Sequence, residues 1–106
     1  MTNAIQKLND NFRKTFTGGR VMLTAGINAL SADDVAQILS RVRSFNNFTT
    51  ANDPYNEHDM AGFDYKGQKI TFKIDYYDKS LRYLSNDPAD ESQTVRVMTI
   101  MTAAEY

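Results

Sequence analysis

Residues 52–79 read NDPYNEHDMAGFDYKGQKITFKIDYYDK, and the period of this stretch decides the fold. Ala61, Phe63 and Tyr65 alternate with Gly62 and Asp64. Ile70, Phe72 and Ile74 alternate with Thr71, Lys73 and Asp75. Successive strand side chains point to opposite faces, so this pattern predicts two strands, each with one apolar face. Lys66-Gly67 between them suits a tight hairpin turn. Paired through that turn, residues whose numbers sum to about 133 oppose each other, because the turn sets the register. Asp59 then faces the Ile74–Asp75 region and His58 faces Asp75. Asn52-Asp53-Pro54 is turn chemistry that opens the stretch.

Upstream, Ile5, Leu8, Phe12 and Phe16 recur at intervals of three and four, the stripe of an amphipathic helix. Thr2 or Asn3 can cap its start, and Gly18-Gly19 suits its end. Lys7, Arg13 and Lys14 are expected on its solvated face. Gly18-Gly19-Arg20 is a fragment of a phosphate loop without the full pattern, so a helix stop is the better reading. Val21–Thr24 reads as a short strand, and residues 25–30 as a connection with a helical turn. Ser31 and Asp34 have the spacing of a capping box ahead of a second helix whose stripe is Val35, Ile38, Leu39 and Val42. Arg41 and Arg43 suit the negative end of that helix dipole. Phe45 to Pro54 reads as a loop, with Phe48 anchoring it on the core.

Downstream, Leu81–Leu84 is expected as a further strand after the Asp78-Lys79 turn. Asn86-Asp87-Pro88 opens an acidic loop through Glu91. Thr94–Thr102 is the last strand, with Val95, Val97, Thr99 and Met101 on one face and Met98 and Ile100 on the other. Two partly apolar faces place it centrally or under a helix. The predicted fold is one α+β domain over residues 1–106, with two helices packed on a four- to five-stranded antiparallel, meander-like sheet.

The chain has 106 residues with 42% apolar content, enough for one core. A formal charge of −1 disfavours a whole-domain nucleic-acid footprint. There is no cysteine, so thiolate and disulfide chemistry are excluded. No run resembles a signal peptide or a membrane span, so a cytoplasmic location is the expectation.

Glu57, His58, Asp59 and Asp75 form the cluster with chemistry in it. Carboxylates with a histidine can hold a divalent metal or exchange protons. The competing reading is a solvated acidic sheet edge with His58 bonded to a neighbouring carboxylate. His58 is the only histidine, which removes multi-histidine metal sites. No nucleophile-elbow pattern surrounds a serine. Tyr76 and Tyr77, with Tyr55 and Tyr83 near them in sequence, can stack bases or centre a protein interface. The aspartates beside them repel phosphate, so a protein partner ranks above nucleic acid.

NDPYNEHD, KIDYYDKSL, SNDPAD and TVRVMTIMTAAEY, with GGRVMLTAGI, resemble a small bacterial family known as the domain-of-unknown-function family DUF3768. The resemblance runs from about Ile5 to Tyr106 and supplies no reaction. It implies a setting on plasmids and other mobile elements, and it marks the hairpin as a defined site. Where family members often have glycine this chain has Asn56, and both accept a left-handed turn. Met60-Ala61 stands where they often have Phe-Gly.

The expected function is a non-enzymatic protein-binding protein of mobile-element type, with inhibition of a bacterial defence system, anti-CRISPR-like, as one concrete version. Its binding residues are Tyr55, Glu57, His58, Asp59, Lys73, Asp75, Tyr76, Tyr77 and Asp78. No catalytic residue, metal or cofactor is assigned, and the chain is a monomer or a dimer. The alternatives are a metal-dependent enzyme such as a nuclease using Glu57, His58, Asp59 and Asp75, and a module that stacks single-stranded nucleic acid.

Overall fold

The computed structural model describes residues 3–106. The elements run α1 (Ala4–Thr15), β1 (Gly19–Leu23), α2 (Ala25–Asn28), α3 (Ala32–Ser44), β2 (Met60–Tyr65), β3 (Gln68–Tyr77) and β4 (Val95–Thr102). The four strands lie in the order β1-β4-β3-β2. Both β2–β3 and β3–β4 are antiparallel, but β1 runs parallel to β4. The sheet is therefore mixed, which corrects the antiparallel meander. Periodicity shows that a strand exists and which face it buries. It does not name the neighbour of a strand separated from it by two helices and a hairpin.

The hairpin register is as expected. Met60 opposes Lys73, and the Ile74 N–H donates to the Asp59 carbonyl at 2.7 Å. Lys66 and Gly67 have φ of 49° and 79°, both positive, as a two-residue turn of this twist requires. The expected strand at Leu81–Leu84 shrinks to one bridge between Tyr77 and Leu84. Asp78 explains this. Its Oδ1 accepts the N–H groups of Ser80 and Arg82 at 3.1 and 3.3 Å, and Leu81 takes a positive φ of 61°. A side chain that captures backbone donors competes with a strand ladder.

Asn3 caps α1 by accepting from the N–H groups of Ile5 and Gln6. The other candidate cap, Thr2, lies outside the described residues. The helix ends at Phe16 in a left-handed conformation, two residues before the glycine pair. Gly19 has a different duty. A Cβ there would lie 2.5 Å from the Arg96 carbonyl oxygen, so β1 and β4 meet only over glycine. Ser31 caps α3 by accepting from Asp34 N–H at 3.1 Å. The Asp34 carboxylate does not complete a capping box; it binds the Tyr65 hydroxyl at 2.7 Å and the Lys66 ammonium at 2.9 Å. Between α1 and α3, residues 25–28 form the single helical turn α2, so three helices replace the expected two.

All three helices serve one sheet face. Phe12, Ile27, Ile38 and Val42 pack with Ala61, Phe63, Ile70, Phe72, Ile74, Met98 and Ile100. Strand alternation turns Thr71, Lys73, Asp75 and Tyr77 of β3, and Val95, Val97, Thr99 and Met101 of β4, to the other side.

A short turn, Ala103–Glu105, closes the chain over the end of that second face. Glu105 accepts from the Thr24 hydroxyl at 2.7 Å, from Thr102 N–H at 3.0 Å and from Gly26 N–H at 2.9 Å. These bonds pull its carboxyl down from 4.5 to about 2. A folded value below the unfolded one adds stability above the unfolded value and loses it as pH falls. Glu105→Gln should therefore lower the melting temperature at neutral pH. The gap to wild type should narrow as pH falls from 4.5 towards about 2. A gap constant across that range in a pH series of melting curves would refute this role.

Candidate functional site

The pleat divides the hairpin residues. Tyr76 points to the helix side and Tyr77 to the open side, and their partners differ completely.

On the helix side the polar groups are consumed by one another. Asn9 of α1 is fully buried. Its amide donates to the Glu57 carbonyl at 3.0 Å and to the Tyr76 hydroxyl at 2.8 Å, and its oxygen accepts from Arg96 Nε at 2.8 Å. Tyr76 in turn donates to Glu57 Oε1 at 2.7 Å. Burial first, then this bond to a carboxylate, raises the Tyr76 phenol far above its usual range. Arg96 is 3% exposed, donates to the Pro88 carbonyl and lies over the Tyr76 ring. Burial pulls its guanidinium down from its ordinary value.

His58 belongs to a second array beside it. Its backbone takes a left-handed φ of 56°, as does that of Asn56. Nδ1 lies 2.9 Å from Asp10 Oδ1, and a carboxylate only accepts, so this bond carries the Nδ1 proton. Nε2 lies 3.7 Å from Asp53 Oδ2, and the ring stacks on Phe48 at 4.0 Å. Asp53 is buried and accepts the Glu57 and His58 N–H groups. Burial works against ionised Asp10, but the hydrogen bonds from Arg13 and His58 outweigh it and hold the carboxyl below its usual range. Arg13 is 1% exposed and also donates to the Phe45 carbonyl at 3.0 Å, so it does not sit on a solvated helix face as expected. A groove of about 400 Å³, lined by Phe48, Thr49, Thr50, Asp53, Pro54 and Asn56, borders this array.

The expected four-residue cluster therefore does not converge. His58 turns to Asp10 and Asp53 rather than to Asp75. Glu57 binds Tyr76, and Asp75 pairs with Lys73 at 3.1 Å on the other face. Burial, then the nearby charges of Glu57, Asp53 and Asp75, pushes the Asp59 carboxyl up. Among the described residues, no three His, Asp or Glu side chains are placed to hold one metal ion. Asp78 serves its own turn, and its bonds from Ser80 hold its carboxyl low. Tyr55 is 79% exposed at the loop tip, apart from the sheet.

The open side is different in kind. Across the strands, Met22, Thr99, Lys73 and Met60 form one row, and Arg20, Val97 and Asp75 the next. Val95 and Tyr77 follow, extended by Leu84 through its bridge. Met22 and Leu84 are 53% and 72% exposed. At the opposite end, Tyr106 reaches Met60 Sδ from the C-terminal turn. A cavity of about 370 Å³ lies under that turn, lined by Thr24, Lys73, Thr99, Met101, Glu105 and Tyr106. Three of the nine expected binding residues, Lys73, Asp75 and Tyr77, are here.

Sequence reading missed Asn9, Asp10, Met22 and Leu84 as site residues. Arg96 did leave a signal, because it alternates in phase with Met98 and Ile100, the buried side of β4. None of the described helices is long and apolar enough to cross a membrane.

A family model described as "Protein of unknown function (DUF3768)" matches residues 23–105. No curated protein and no solved structure matches the chain.

Proposed function

The chain belongs to the DUF3768 family, and we propose that it is a non-enzymatic binding protein that docks a folded protein through the open face of its sheet. One observation carries this reading. Met22, Val97, Tyr77, Leu84 and Tyr106 surround a single ion pair, Lys73–Asp75, on the face that none of the three helices serves. Exposed apolar side chains gathered on one sheet face are costly in water and typical of interfaces. Tyrosines and methionines are favoured at interface centres. The acidic and histidine groups on the helix side are engaged with each other, which favours a structural part for them over a catalytic one. Inhibition of a bacterial defence system is the concrete version consistent with the mobile-element setting that the resemblance implies.

The test is capture from bacterial lysate by wild-type protein and by two variants verified as folded by circular dichroism. Val97→Asp puts a second carboxylate beside Asp75 in the centre of the face and should abolish capture of a stoichiometric partner. Tyr55→Ala, at the loop tip, should leave it intact. Capture that survives Val97→Asp and fails with Tyr55→Ala would move the site to the loop and overturn the assignment.

A further inference from the structure

We propose that the open face closes on a second copy of the chain, as a two-fold dimer in which Lys73 of each protomer meets Asp75 of the other. This names an occupant that competes with a host protein for the docking face, and it rests on the reading of that face as an interface. The reason is self-complementarity. Lys73 and Asp75 are successive same-face positions of β3, central in the sheet order, and they carry opposite charge. A two-fold axis lying between two such faces, across the strands and midway between these positions, reverses the order along β3. Each ammonium then faces a carboxylate, with no like charges opposed.

The same operation matches the rest of the face. Thr99 falls opposite Val97, Met101 opposite Val95, and Thr71 opposite Tyr77. Met22 falls opposite Arg20, whose aliphatic stem can cover it. The end that bears the C-terminal turn and exposed Tyr106 meets the end that bears Tyr77 and exposed Leu84. A two-fold interface uses one patch twice, so it must complement itself, and this one does. Paired sheets of this kind cross at about 30°, which the strand twist supplies. A standard interface takes about 800 Å² from each partner. That is roughly one-eighth of the 6492 Å² surface, a single side of a molecule measuring 37 × 30 × 23 Å. A partner with charge of one sign would gain little steering from a face whose central charges cancel.

The test reads mass by sedimentation equilibrium from micromolar to millimolar protein. Wild type should pass from 12.0 kDa to twice that mass. Lys73→Glu gives a face with two negative charges and Asp75→Lys a face with two positive charges. Each should weaken self-association by about 100-fold or more, because like charges then oppose each other twice. Mixed in equal amounts, the two variants should dimerise with each other, which no merely unfolded variant can do. Wild type that stays at 12.0 kDa through millimolar protein would overturn self-association, as would a dimer unmoved by either variant. The docking reading fails separately, on capture that is indifferent to Val97→Asp.

Discussion

Asn9→Ala is expected to cost about 2–4 kcal/mol, a large part of the roughly 5–15 kcal/mol that holds a domain of this kind together. The substitution removes one small amide and strands several partners. Arg96 Nε loses its acceptor at 2.8 Å inside the protein, and the Glu57 carbonyl loses a donor at 3.0 Å. A buried donor left unpaired costs about 1–3 kcal/mol, more when it is charged. Arg96 has no carboxylate within ion-pair distance to take over among the described groups, so the charge stays uncompensated. Thermal unfolding should fall by about 10 °C or more for a chain of this length. A double-mutant cycle with Arg96→Met separates the coupling from simple truncation. Once the guanidinium is gone, Asn9→Ala should cost markedly less. Equal costs in both backgrounds would mean that the amide does not serve the arginine.

Phe72→Ala should be at least as damaging, at about 3–5 kcal/mol. Phe72 is fully buried on β3, with its ring 5.6 Å from Phe45 edge-on and 6.3 Å from Phe48. The Arg13 guanidinium sits over it at 6.0 Å. Truncation opens a cavity where α1, the 45–59 loop and the sheet meet, and removes the surface on which Phe48 rests. Phe48 in turn carries the His58 ring. Hydrogen exchange should therefore rise first at Phe48 to Asp59, before global unfolding. Tyr55→Ala on the same loop should stay within about 0.5 kcal/mol of wild type, because its side chain is almost free of contacts. If both substitutions cost the same, the aromatic cluster does not hold the loop.

The Phe72 effect depends on which side of the sheet the residue faces, and that much was readable. The alternation of Ala61-Phe63-Tyr65 and Ile70-Phe72-Ile74 determined the two hairpin strands, their register and their buried face. Lys66-Gly67 determined the turn, because few residue pairs accept positive φ at both positions. The spacing of Ile5, Leu8, Phe12 and Phe16, and of Val35, Ile38, Leu39 and Val42, determined two helices and the inner stripe of the second; on the first, the buried face is Asn9, Phe12 and Arg13, and Ile5 and Leu8 lie outside the core. These signals are local: each needs only a few neighbours along the chain.

Long-range pairing belonged to the tertiary structure. Whether β1 lies beside β4 depends on the close approach over Gly19 and on the helices between, which no window of sequence contains. The fate of His58 was decided in the same way. The hairpin register suggested Asp75 as its partner, but a left-handed backbone at His58 sends the ring to Asp10 on α1, 48 positions away. Arg13 looked like a solvated helix residue because periodicity ranks side chains by apolarity. In the fold it is buried, with its two terminal nitrogens bonded to Asp10 and the Phe45 carbonyl. The sequence by itself thus determined the hairpin with its turn, the last strand and the two longer helices, since backbone period and φ preference are local properties. Only the tertiary structure decided which polar groups hold the fold together and which remain free on the open face, since that depends on partners brought from distant parts of the chain.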